Sequence, residues 1–203
     1  MGRFSAVTRK TQSRRKPKPE RARRHQPRLP GDLPLAALVE RMIRVDHAGE
    51  FGAVRIYQGQ LRVLGNAKEG PAIRDMAAQE QEHLKSFERL MIARRARPSA
   101  LLPLWRIAGY ALGAGTAMLG PAAAMACTVA VEEVIDGHYA RQIEKLGPDE
   151  PELARAFARF RAEENAHRQA ALDHGAERAP AHAALTAAIK LGSRAAIWLS
   201  ERI

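Results

Sequence analysis

The chain has 203 residues, enough for one domain with a full core, and a formal net charge of +11. Ala, Leu, Arg and Glu are abundant and aromatic residues make up only 5%, a balance that favours helices over sheets. A single cysteine, Cys127, excludes an intramolecular disulfide and a cysteine-rich metal site.

The charge sits at one end. Residues 1–30 hold eleven Lys and Arg against one acid, Glu20, which gives +10 and leaves the other 173 residues almost neutral. Pro17, Pro19, Pro27 and Pro30 oppose a helix there, and the stretch has little to bury, so residues 1–32 read as a disordered basic tail. It carries no nucleic-acid motif and no interleaved aromatic platform, which argues against a nucleic-acid partner and leaves attraction to anionic lipid as its functional reading. No apolar stretch follows the early charges as a secretory signal requires.

Residues 33–203 form the predicted domain. A first helix runs from about Leu33 to Leu64, with Leu35, Leu38, Val39, Met42 and Ile43 spaced along one helical face. Pro71 opens a second helix that continues to about Arg94, ahead of Pro98. A third region, Leu101 to Leu146, is interrupted at Gly120-Pro121. After Gly147-Pro148 a fourth helix runs from about Pro151 to His174, and Pro180 opens a last one that reaches the C-terminus. No stretch alternates with period two, so the class is all-α.

From Ile107 to Val131 the third region has 25 residues without a charge, the length of a membrane span. Its glycines and the Glu132-Glu133 pair that follows speak against a span. A buried helix joined to a membrane-surface segment explains it better.

Chemistry enters with Glu-x-x-His, which occurs twice: Glu80–His83 in the second helix and Glu164–His167 in the fourth. Residues three apart lie on one helical face, about 5–6 Å apart at Cβ, so both side chains can grasp one metal. Each motif is preceded by a glutamate in an apolar helix, Glu50 thirty residues before Glu80 and Glu132 thirty-two before Glu164. Glu133 is the adjacent alternative to Glu132. The halves repeat with an offset of 82 to 84 residues. A ferritin-like four-helix bundle with a pseudo-two-fold repeat would point all six groups inward, the general two-iron carboxylate arrangement. Four carboxylates and two neutral imidazoles sum to −4, which two divalent ions cancel. Oxygen-rich ligands without thiolate suit iron or manganese.

Met42-Ile43-Arg44-Val45-Asp46-His47-Ala48-Gly49-Glu50, Glu80-Gln81-Glu82-His83-Leu84, Ala124 to Glu133, Leu172-Asp173-His174 and Ile197-Trp198-Leu199-Ser200-Glu201-Arg202 closely resemble the demethoxyubiquinone hydroxylase family. The similarity spans about residues 36–203. Val54 stands where many members carry a polar residue. The resemblance implies a membrane-associated di-iron monooxygenase late in ubiquinone biosynthesis. Such an enzyme hydroxylates the ring of a polyprenylated methoxy-benzoquinone with dioxygen and electrons from NADH. Its ligands match Glu50, Glu80, His83, Glu132, Glu164 and His167, and His138 and Tyr139 are implied in substrate or electron handling. The implied location is peripheral, on the cytoplasmic face of a bacterial inner membrane or the matrix face of a mitochondrial one. An entrance for the isoprenoid tail is expected among Leu101, Leu102, Leu104, Trp105, Ile107 and Tyr110, with Arg106 at lipid headgroups. A lipid-presenting partner and self-association stay open. The rival reading is iron storage of the ferritin type, against which the missing acidic storage surface and the long uncharged region both count.

Overall fold

The computed structural model describes residues 30–203; the basic tail expected over 1–32 lies almost wholly outside them. Six helices follow in order: α1 Leu35–Leu64, α2 Gly70–Arg94, α3 Leu102–Met118, α4 Pro121–Leu146, α5 Pro151–Asp173 and α6 His182–Ser200. A turn of 3-10 helix at Ala176–Arg178 precedes α6. There is no strand among the described residues.

Proline and glycine set the boundaries. Pro71, Pro121 and Pro151 occupy opening positions of their helices, where a missing N–H costs nothing. Gly120 adopts φ +113, so the uncharged region is two helices that change direction at one residue. Pro180 does not open α6 as expected. Ala181, in the left-handed region at φ 48, intervenes, and the helix begins at His182.

Short loops make α1–α2 and α4–α5 antiparallel hairpins, and these two hairpins form the four-helix bundle. α3 crosses from one hairpin to the other and lies along α1, while α6 packs on α4. The α1–α3 seam depends on glycine. A Cβ on Gly109 would come within 2.8 Å of the Gly52 carbonyl oxygen, and one on Gly113 would collide with the carbonyl of Ile56. Gly59 on α1 meets the backbone of Tyr110 and Ala114 in the same way.

The apolar core falls into two main clusters. One gathers Tyr57, Leu64, Ile73, Met76, Ala123 to Ala126, Val129 and Ala171. The other gathers Val39, Met42, Ile43, Phe87, Met91, Tyr139, Leu146, Leu153, Phe157 and Phe160. Along each bundle helix a gap separates the residues given to one cluster from those given to the other. That gap holds Glu50 in α1, Glu80 and His83 in α2, Glu132 in α4, and Glu164 and His167 in α5. The core is therefore a polar layer held between two apolar ones.

Candidate metal centre

All six predicted groups are buried, none more than 5% exposed. His83 Nδ1 lies 3.0 Å from Glu164 Oε1, 3.5 Å from Glu50 Oε2 and 3.7 Å from Glu80 Oε2. His167 Nδ1 lies 3.0 Å from Glu80 Oε1 and 3.1 Å from Glu164 Oε2. The six resolve into two quartets, Glu50–Glu80–His83–Glu164 and Glu80–Glu132–Glu164–His167, each with one ligand atom per residue within 4.8 Å of the rest. Glu80 and Glu164 belong to both. Glu133, one residue from Glu132, points elsewhere and pairs with Lys190 of α6.

Burial makes this collection of charges costly. Desolvation, reinforced by Glu164 and Glu80, pushes the carboxyls of Glu50 and Glu132 well above the ordinary carboxylate range. Burial works on Glu80 in the same sense, but the two imidazoles that face it hold it down at about 2. Burial likewise opposes charge on His167, yet Glu164 and Glu80 raise it to about 9, and the same balance raises His83. Raised carboxyls and raised imidazoles alike favour proton uptake, which offsets the negative charge of the cluster. His83 Nδ1 and Glu80 Oε1 are nonetheless buried without a hydrogen bond. Oxygen donors in excess, two imidazole nitrogens turned inward and orphaned atoms at the centre suit two divalent cations sharing a pair of carboxylates.

Outside the quartets, His83 Nε2 meets Glu163 Oε2 at 2.8 Å and His167 Nε2 meets Gln79 Oε1 at 2.9 Å. Phe160 packs edge-on against the His83 ring at 5.1 Å between centroids.

A cleft between α1 and α4 reaches the cluster. The buried Glu50, Glu80, Glu132 and Glu164 form its floor, and the half-buried Gly49, Ala53, Val131 and Ile135, with Ile197 of α6, line its walls. Tyr139 and His138 both line it, in different roles. Tyr139 donates its phenolic hydrogen to Glu50 Oε1 at 2.8 Å. His138 turns toward Asp46, its Nε2 3.0 Å from Oδ1, and Gln142 donates to the same oxygen at 2.8 Å. Burial raises the Asp46 carboxyl above its usual range, against the pull of His138. His138 also borders a second, polar cleft, where Arg41 of α1 and Arg141 and Lys145 of α4 bring three cations together with Glu201.

A family model described as "Ubiquinone biosynthesis protein COQ7" matches residues 37–200, from the first turn of α1 to the end of α6, and includes every residue of both quartets. The chain belongs to the COQ7 family. A relative named 3-demethoxyubiquinol 3-hydroxylase, from Rhodospirillum rubrum, is 56% identical over 87% of this chain and 84% of its own length. The mouse relative, named NADPH-dependent 3-demethoxyubiquinone 3-hydroxylase, mitochondrial, is 56% identical over 82% of this chain and 78% of its own. The yeast relative, named 5-demethoxyubiquinone hydroxylase, mitochondrial, is 42% identical over 83% and 79%. The mouse protein's name carries NADPH where the sequence led us to expect NADH.

Sequence reading of this COQ7-family chain missed four residues. Asp46 was visible inside the Val45-Asp46-His47 motif, and Gln142 lies one helical turn after His138, but nothing in the sequence says that they meet. Gln79 and Glu163 each precede a named glutamate by one position, a placement the repeat makes legible only in retrospect.

Proposed function

We propose that this chain is an oxygen-dependent hydroxylase of the ring of a polyprenylated methoxy-benzoquinone, in ubiquinone biosynthesis. It holds two iron ions through Glu50, Glu80, His83, Glu132, Glu164 and His167. The observation that carries the reading is the pair of buried quartets sharing Glu80 and Glu164 at the floor of an apolar-walled cleft. The names of relatives more than half identical to it support the substrate.

The chemistry that two irons supply when bound is reductive activation of dioxygen. The chain's own residues do the rest. Gly49, Ala53, Val131 and Ile135 present little polar surface, so a quinone ring entering the cleft displaces water before it reaches the carboxylates. Tyr139 keeps a proton against Glu50 Oε1 and fixes the orientation of that carboxylate. His138, steadied by Asp46 and Gln142, offers an imidazole where cleft and polar neighbour adjoin. The three cations of that neighbour suit the phosphates of a reduced nicotinamide cofactor, NADH or NADPH.

Attachment to a lipid surface belongs to the same proposal. Among the described residues no helix is long and apolar enough to cross a membrane. α3 instead exposes Leu104, Ile107, Tyr110 and Met118, and α6 exposes Leu191 and Trp198. Along α3 the exposed positions 104, 107, 108, 111, 115 and 118 keep one helical spacing, and 184, 187, 188, 191, 195 and 198 of α6 repeat it. Ile197 of α6 lines the cleft, one residue from the exposed Trp198 of this apolar surface, and an isoprenoid tail would arrive there. Leu101, Leu102 and Trp105, the other expected entrance residues, are half-buried, and Trp105 donates to Ser200 at 3.1 Å.

The test supplies iron-loaded protein with a short-chain demethoxyquinone, labelled dioxygen and either NADH or NADPH, and weighs the product. One labelled oxygen in the ring is the expected result. Iron uptake and mineral formation with an unchanged quinone would overturn the reading in favour of storage.

A further inference from the structure

The two halves of the bundle carry the same ligands, yet they differ in the residue that precedes each shared glutamate. Glu80 and His83 correspond to Glu164 and His167 with an offset of 84, so Gln79 corresponds to Glu163. The structure uses these two positions crosswise. Glu163 of α5 accepts from His83 of α2, and Gln79 of α2 accepts from His167 of α5. Each residue that precedes a shared glutamate therefore holds the histidine of the opposite half by its outer nitrogen. In one half that holder is a carboxylate, in the other a neutral amide.

The contact decides which ring nitrogen faces inward. Once Nε2–H is given to an outer oxygen, Nδ1 is left with its lone pair toward the quartet, the tautomer a metal requires. Both holders do this equally well. They differ in what they add to the ring. A carboxylate acceptor increases the electron density of the imidazole and stabilises the positive charge a bound cation induces there. An amide oxygen does so far less. His83 is also braced by Phe160, so its ring keeps one orientation. We infer that Glu163 and Gln79 make the two metal positions unequal, the one built on Glu50 and His83 filling first and holding its ion more tightly than the one built on Glu132 and His167. The inference rests on the metal-binding reading proposed above, and assigns Glu163 and Gln79 as positioning residues that act through the histidines.

Tyr139 adds a further difference, since it donates to Glu50, whereas Tyr57, its repeat counterpart 82 positions earlier, donates to Met76 Sδ and not to Glu132. The test therefore leaves Tyr139 in place and changes only the holders. Metal-free full-length protein is titrated with cobalt(II), followed by calorimetry and by the visible bands of the bound ion. The wild type should take up two ions in two separate steps. Glu163→Gln should weaken the first step by about 10- to 100-fold and leave the second nearly unchanged. Gln79→Glu should instead tighten the second step by a similar factor. The double exchange, Gln79→Glu with Glu163→Gln, should restore two steps. The exchangeable ring N–H signal shifted by the first cobalt ion should then come from His167 instead of His83. Glu82→Gln serves as the charge control: it removes one acid beside His83 that pairs with Lys85 and holds no histidine, and it should move neither step.

Glu163 is 41% exposed at its side chain and Gln79 lies at the surface, so neither exchange empties the core. Equal affinities in the wild type, or steps that ignore both exchanges, would overturn the inference and leave the metal-binding reading standing. Absence of cobalt binding in the wild type would overturn both.

Discussion

The phenol of Tyr139 stands 2.8 Å from Glu50 Oε1, a single hydrogen bond that joins α4 to α1 at the floor of the cleft. Burial, with Glu50 and Asp46 nearby, pushes the Tyr139 hydroxyl well above its ordinary range and so favours the protonated phenol. Replacing it with phenylalanine leaves the quartets their donor atoms but frees Glu50 to turn. Tyr139→Phe should keep its full complement of iron while turnover falls, by about 10²-fold if the phenol handles a proton in the reaction. Metal analysis beside single-turnover kinetics decides it, and a variant that loses iron in proportion to its activity would make the phenol merely structural.

Glu132 and Glu133 offer a sharper contrast than the sequence could give. Glu132 is 4% exposed among the other five groups of the buried cluster, whereas Glu133 reaches Lys190 at the surface. Glu132→Gln should lose at least one of its metal ions. Glu133→Gln should retain both, giving up only a surface ion pair worth about 0–1 kcal/mol. Elemental analysis of the two purified variants checks this, and the opposite pattern would refute the assignment.

Protonation of the cluster gives the metal-free protein a defined pH dependence. A histidine raised from 6.5 to about 9, as His167 is, contributes stability that is complete below 6.5 and lost as pH climbs through 9. His83 acts in the same sense. So do Glu50 and Glu132, whose raised carboxyls favour folding below their shifted range. Glu80, held at about 2, opposes them only below 4.5. Between pH 6.5 and 9 chelator-treated protein should therefore lose stability, His167 alone contributing on the order of 3 kcal/mol. Iron affinity should rise over the same interval, because the cation displaces those protons. Thermal melts with and without metal will show it; a metal-free melting temperature that climbs with pH contradicts it.

Attachment to lipid should depend on the outward side chains and not on the half-buried ones. Exchanging Leu104, Ile107, Leu191 and Trp198 for serine should release most of the protein from liposomes and leave its iron content intact. The same treatment of Leu101 and Leu102 should matter less. Vesicle flotation measures both, and release by the second pair alone would relocate the contact.

The glycine seam predicts a steric effect. Gly113→Ala places a methyl against the Ile56 carbonyl, and Gly109→Ala crowds Gly52. Each should cost about 1–3 kcal/mol, read by urea denaturation. Gly115→Ala, whose added Cβ meets nothing, should cost far less.

Most helix boundaries and the six groups of the buried cluster were legible in the sequence because both depend on local spacing. Pro121 and Pro151 mark starts by their missing N–H, and Glu80 with His83 advertise one helical face. The ring of contacts around them was not legible. Asp46 and His138 are 92 positions apart, and only the docking of α4 on α1 makes them partners. The uncharged run from Ile107 to Val131 was ambiguous for a similar reason. α3 and the first half of α4 read alike, yet Ile107 faces outward and Val129 lies in the core. Hydropathy records how apolar a residue is and says nothing of what covers it.

The seam between α1 and α3 is formed by backbone against backbone, so α3 docks largely through atoms it does not have. Gly109 and Gly113 serve α1, while Leu104, Ile107 and Met118 turn much of their surface outward. The two duties are separable. Substitutions on the outer stripe can follow the thickness and composition of whatever surface the protein meets, without transmitting strain to Glu50 one helix away. A change at either glycine would shift α3 as a rigid piece and move the whole outer stripe with it.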